Sequence, residues 1–229
     1  MKTILITGAD GNLGTTVTQT FLEVGYQVLA TVVNEAAKNN LAPHPSLEVQ
    51  AVNLTDETET GRFIASALAK YQHIDAALLL VGGFAMGDIA ATTGAELKKM
   101  YSLNFETAYY TARPLFAHMK DSGSGRLVFV GARPALQPAD GKAMIAYALS
   151  KSLLFNLAAC LNEEAKGIDV VATVVVPSTL DTPVNRKAMP DVDPAKWVKP
   201  QQLADIMKFI CSDTAAALRE PVIKVYNNA

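Results

Sequence analysis

The chain has 229 residues, enough for one large domain with a substantial core, and half of them are hydrophobic. Its 20 basic residues are balanced by 22 acidic ones, so there is no positive excess to hold a nucleic-acid backbone or an anionic membrane. No stretch approaches the roughly 18 uninterrupted apolar residues of a membrane span, Cys160 and Cys211 read as two buried free thiols, and His44, His73 and His118 are too scattered to suggest a metal site.

At the start of the chain, the apolar run after Lys2 stops at Gly8 and Asp10, too soon for a signal peptide, so the expectation is a cytoplasmic protein. Short aliphatic runs predict strands over 2–7, 27–33, 47–52, 76–81, 126–130, 170–176 and 222–226. Helical spacing predicts helices over 15–25, 57–71, 95–120, 143–166 and 200–212. Strands apolar on both faces and alternating with helices define an α/β class: a Rossmann-type doubly wound parallel sheet in three α/β/α layers. The reading is a single domain over 1–229, with ligands at the carboxyl ends of the strands. Residues 178–199, with Pro183, Pro190 and Pro194, have no clear period and read as a substrate loop.

After the first strand comes TGADGNLG, with Gly8, Gly11 and Gly14 at equal spacing and Asp10, Asn12 and Leu13 between them. A strand that turns tightly into a helix, with backbone amides free at the helix start, suits the pyrophosphate of a dinucleotide. At the end of the second strand an acid would select NAD and an arginine NADP. The chain has Val32 and Val33 there, followed by Asn34, which could bond a ribose oxygen. With no cation beside it, the reading is NAD(P)H with a slight preference for NADH. Asn53 and Leu54, past the third strand, complete the expected adenosine side.

In IAYALSKS, Tyr147 and Lys151 are four residues apart and share one face of a helix. A neighbouring ammonium would stabilise the phenolate and lower its pKa, making Tyr147 a usable general acid or base. Lys151 could also hold the nicotinamide ribose.

These residues resemble the short-chain dehydrogenase/reductase family over essentially the whole chain. TGADGNLG is similar to its cofactor turn and YALSK to its YxxxK motif. Asn104, in YSLNFET, falls where the family places an asparagine that organises a proton-relay water. VVVPSTLDT resembles the segment that closes over the nicotinamide, which implies cofactor contacts from Pro177, Ser178, Thr179, Leu180 and Thr182. Val81, Gly82 and Gly83 stand in place of the family's asparagine-containing stretch after the fourth strand, and Ala132 stands at or beside its substrate-orienting serine. Both departures, together with PSTLDTPVNRKAMPDVDPAKW, resemble the dihydropteridine reductase-like branch, although that branch carries an Asp where this chain has Val32. The resemblance implies a reductase acting on a quinonoid dihydropterin, for which hydride and proton matter more than an oriented carbonyl. A general carbonyl or alcohol dehydrogenase and a non-catalytic dinucleotide sensor stand as alternatives.

Phe84, Ala132, Arg133, Met189 and Trp197 are the candidate substrate-side residues; Met189 and Trp197 could equally anchor the loop. The helix MIAYALSKSLLFNLAACLNEEAK is apolar nearly all round and calls for burial on two sides. The expectation is a homodimer or homotetramer that acts on a small molecule.

Overall fold

A computed structural model describes residues 1–228. Seven parallel strands form one sheet: β1 (Thr3–Thr7), β2 (Gln27–Val32), β3 (Leu47–Ala51), β4 (Ala76–Leu79), β5 (Ser124–Val130), β6 (Asp169–Pro177) and β7 (Val222–Val225). Their order is β3-β2-β1-β4-β5-β6-β7, so the chain reverses its direction of travel between β3 and β4. The reversal leaves a crevice at the carboxyl edge beside β1 and β4, where open α/β sheets bind ligands. The central strands are buried on both faces, β1 along its full length, which explains their unbroken aliphatic runs.

Helices cover both faces: α1 (Gly14–Glu23), α2 (Glu57–Tyr71), α3 (Gly94–Tyr101), α4 (Thr107–Ser122), α5 (Pro138–Gly141), α6 (Ile145–Glu164), α7 (Pro183–Ala188) and α8 (Pro200–Ile210). One core layer packs Phe63, Leu115, Phe129 and Leu154 between the sheet and the α2/α4/α6 side; the other packs Val17, Phe21, Leu203 and Met207 under α1 and α8. The fold is the doubly wound α/β sandwich expected from the alternation of elements.

Several expectations need correction. The single helix expected over 95–120 is divided by a π turn at Ser102–Glu106, in which Asn104 is the buried residue. The helix expected from 143 begins at Ile145, after the separate short α5. Residues 178–199 are not uniformly irregular, for they contain α7 and a 3₁₀ turn at Pro194–Lys196. Cys211 is buried but Cys160 is exposed on the outer side of α6. His73 and His118, distant in sequence, meet with ring centroids 5.6 Å apart. By length and composition α6 could cross a membrane, yet it lies within the sandwich, with Leu154 and Ala158 buried in the core.

Candidate active site

The glycine turn, Gly82, Gly83, Asn104 and Lys151 lie together at the carboxyl edge of the sheet, whereas others of the residues singled out in the sequence do not. Beyond β1 the chain turns at Gly8, whose φ is +63°, and enters α1 at Gly14. A Cβ on Gly14 would lie 2.1 Å from the Gly8 carbonyl oxygen, so only glycine permits this approach. Helix α1 has no side-chain cap, and the amides of Asn12, Leu13 and Gly14 have no hydrogen-bond partner among the described residues. Uncapped amides at the positive end of a ten-residue helix fit a diphosphate. Thr7 Oγ1 accepts from the Leu80 amide at 3.0 Å, tying β1 to the segment after β4 where the sequence lacks asparagines.

At the adenosine side, Val32 is buried and Val33 is 72% exposed. Asn34 Oδ1 accepts from the Ala37 amide at 3.0 Å, which leaves its amide hydrogens to donate. Asn53 Oδ1 is engaged by the Thr55 amide and hydroxyl, at 3.2 and 2.7 Å, and Leu54 is buried. Both asparagines therefore shape their own turns first.

Helix α6 delivers Tyr147 and Lys151 to the same edge. Lys151 is buried, and its Nζ donates to the Val130 carbonyl at 2.8 Å. Burial pushes its pKa down to about 8 and that of Tyr147 up to about 12. The lysine-lowered phenol expected from the sequence is therefore not found: desolvation dominates, while the ammonium gives a hydrogen bond to a carbonyl. The phenol is a protonated acid over the whole neutral range. A Cβ at Gly82 would lie 2.7 Å from Asn104 Oδ1 and 3.1 Å from Lys151 Nζ, which accounts for a glycine on the floor of the site.

Asn104 is fully buried and its side chain is committed to protein. Its Oδ1 accepts from the Gly83 amide at 2.8 Å, and its Nδ2 donates to the Gly83 carbonyl at 3.1 Å and to Ser150 Oγ at 3.0 Å. Both amide hydrogens are thereby used within the protein, so the side chain joins two elements instead of presenting a hydrogen to a relay water. Ser150 was missed by sequence reasoning, although its place between Tyr147 and Lys151 was the available signal.

On the substrate side, Phe84 is 61% exposed and packs edge to face on Tyr147, with centroids 5.1 Å apart. Ala132 is buried and offers no side-chain donor. Arg133 does not face an open site: it pairs with Asp140 at 3.1 Å and lies over the Tyr226 ring. Trp197 is 3% exposed and its carbonyl accepts from Asn227 Nδ2 at 2.9 Å, so it anchors the loop, while Met189 is only half-buried. The loop base is further closed by Asp181 N–H to the Val198 carbonyl (2.8 Å) and Val198 N–H to the Thr179 carbonyl (2.9 Å). Thr182 caps α7, Ser178 Oγ donates to the Tyr226 carbonyl, Leu180 bridges Val198, and Pro177 ends β6, so all five residues of this segment serve to shape it. Arg186 is paired with Asp181 at 2.6 Å.

With this turn, this Tyr and Lys on one helix, and a sequence pattern that matches the short chain dehydrogenase family over residues 2–193, the chain belongs to that family of NAD(P)-dependent oxidoreductases. Among curated relatives, it is 25% identical over 239 residues to the uncharacterized oxidoreductase YmfI of Bacillus subtilis, covering 98% of this chain and 97% of that one. It is 28% identical over 207 residues to dihydropteridine reductase of Dictyostelium discoideum, covering 89% and 85%. Among solved structures, an oxidoreductase of the short chain dehydrogenase/reductase family from Burkholderia thailandensis superposes with a TM-score of 0.85 at 26% identity, over 98% of this chain and 90% of that one.

Proposed function

We propose that the chain is an NADH-preferring reductase of a flat, strongly electrophilic ring, with a quinonoid dihydropterin as substrate. The observation that carries this reading is the pairing of Phe84 against Tyr147, together with an alanine, Ala132, in place of a side-chain donor just past β5. An exposed aromatic wall suits a planar ring. A site without a donor beside β5 suits an acceptor that needs a proton more than a polarised carbonyl. NAD(P)H, when bound, supplies the hydride. The turn from Gly8 to Gly14 would hold its diphosphate, Val33 and Asn34 would border its adenosine, and Lys151 would hold its nicotinamide ribose. Tyr147 then donates the proton, while the charged Lys151, held by the Val130 carbonyl, would keep the nicotinamide ribose in place.

The NADH preference rests on charge. Asp10 lies in the glycine turn, and the cation just past β2, Lys38, is already paired with Glu35 at 2.8 Å. A 2′-phosphate would have to compete with Glu35 for that cation. The reading also includes a cytoplasmic setting, where two unpaired cysteines stay reduced, and self-association through the outer face of α4 and α6.

The test is parallel titration with NADH and NADPH, then following cofactor absorbance with a quinonoid dihydropterin, a panel of ketones and imines, and no acceptor. Turnover of the pterin with NADH, falling about 10²- to 10⁴-fold in Tyr147→Phe, is expected. Turnover of an ordinary ketone alone would move the chain to general carbonyl reduction, and tight cofactor binding with no turnover of anything would make it a sensor.

A further inference from the structure

Serine hydroxyls inside helices commonly bond a carbonyl one turn back, and such a bond alone carries no function. Ser150 does more than this. It is 2% exposed, its Oγ donates to the Tyr147 carbonyl at 2.8 Å, and the same oxygen accepts from Asn104 Nδ2 at 3.0 Å, across 46 residues of sequence. Asn104 in turn holds both the amide and the carbonyl of Gly83. Gly83 precedes Phe84, whose ring returns to Tyr147 at 5.1 Å. Tyr147 is therefore held twice by one closed chain of contacts, at its backbone through Ser150 and at its ring through Phe84, with Asn104 as the hub.

The hub is buried and fully satisfied, so removing any one partner would strand a buried polar group. A polar amide is placed with no solvent contact, in a π turn that interrupts an otherwise regular helical stretch. An apolar residue and a continuous helix would pack α3 and α4 more simply. The insertion instead provides a rigid strut between the loop after β4 and the catalytic turn of α6. Proton transfer is sensitive to such placement, since a shift of about 1 Å can cost about a hundredfold in rate.

We propose that Ser150 is a positioning residue for the proton donor: its hydrogen bond to Asn104 fixes the turn of α6 that carries Tyr147 against Gly83 and Phe84, and so sets the direction in which the phenol hydroxyl points. This inference rests on the reductase reading. Ser150 touches neither cofactor nor substrate; it acts through Tyr147.

The experiment compares wild type with Ser150→Ala, Ser150→Cys and Ser150→Thr, measuring kcat, KM, NADH affinity, and solvent and NADH deuterium isotope effects. Ser150→Ala is expected to lower kcat about tenfold, as for loss of a buried hydrogen bond, with KM and NADH affinity within about twofold. The solvent isotope effect should rise while that of deuterated NADH does not, because the proton step alone is slowed. Ser150→Thr, which keeps the hydroxyl, should recover most of the rate; Ser150→Cys, nearly the same size with a weak donor, should resemble Ser150→Ala. A folded Ser150→Ala or Ser150→Cys enzyme with unchanged kcat and isotope effects overturns the inference. So does a loss of rate and NADH affinity together that Thr does not rescue, which marks a merely structural role. A wild type that turns over nothing on the panel overturns the reductase reading, and the inference with it; an active wild type with indifferent Ser150 variants overturns the inference alone.

Discussion

At the scale of single residues, the site is governed by the cost of burying Lys151. Its folded pKa of about 8 lies below the ordinary lysine value, so between the two the unfolded chain binds more protons and stability rises with pH through that window. Below it the buried ammonium costs on the order of 3 kcal/mol. Lys151→Met removes that charge but strands the Val130 carbonyl, and we expect a net gain of about 1–2 kcal/mol at neutral pH together with loss of turnover. Denaturant midpoints at pH 7 and pH 10 check this, and the advantage of the variant should shrink at the higher pH. The same residue sets the activity profile. Tyr147, held near 12, stays a proton donor, whereas Lys151 loses its charge near 8, so kcat for reduction should fall as pH rises past that point. A rate that held level from pH 7 to pH 10 would separate Lys151 from the proton step.

At the scale of elements, the turn from β1 into α1 admits no side chain at Gly14, while a Cβ at Gly94, the first position of α3, would meet nothing within 4 Å. Gly14→Ala should therefore cost about 2 kcal/mol or more and weaken NADH binding at least about tenfold. Gly94→Ala should be neutral or stabilising by up to about 1 kcal/mol through helix propensity. Thermal melts with and without NADH distinguish the two; equal effects would mean that close packing of the turn is not what the glycine provides. This turn was legible in the sequence because three glycines between a strand and a helix have few other uses. The strands were legible because both-face burial leaves unbroken aliphatic runs, and the Tyr147/Lys151 pair because four residues make one turn. The π turn was not, since a shift of register by one residue is lost within the window over which helical spacing is read. Nor was the role of Ser150, whose partners are Tyr147 on its own helix and Asn104 from another element. Whether Trp197 lined a pocket or anchored the loop depended on where the chain's end runs, because its carbonyl is held by Asn227.

At the scale of the whole molecule, α6 carries the proposed proton donor on one side and leaves an uncovered apolar surface on the other. Only its inner residues, Leu154 and Ala158 among them, are covered; Leu157 and Leu161 are half-buried and Leu149 is 53% exposed. Between α4 and α6 lies a groove of about 460 Å³ with Tyr109, Phe116, Leu157 and Leu161 along it and the Lys120–Glu164 ion pair in its lining. A helix apolar all round needs cover on both sides, and the proposed two-fold contact would supply it by setting the same groove against itself. Because Tyr147 and Lys151 lie on that helix, such a contact would also stiffen the site. Leu157→Glu, which puts a charge in the middle of the groove, should turn an assembly of two or more copies into monomers in sedimentation. It should also lower kcat several-fold while NADH affinity, set at the far side of the sheet by the Gly8–Gly14 turn, changes little. A wild-type chain that sediments as a monomer at micromolar concentration would leave the outer face of α6 without this explanation, and the rigidity of Tyr147 would then rest on the contacts through Asn104 alone.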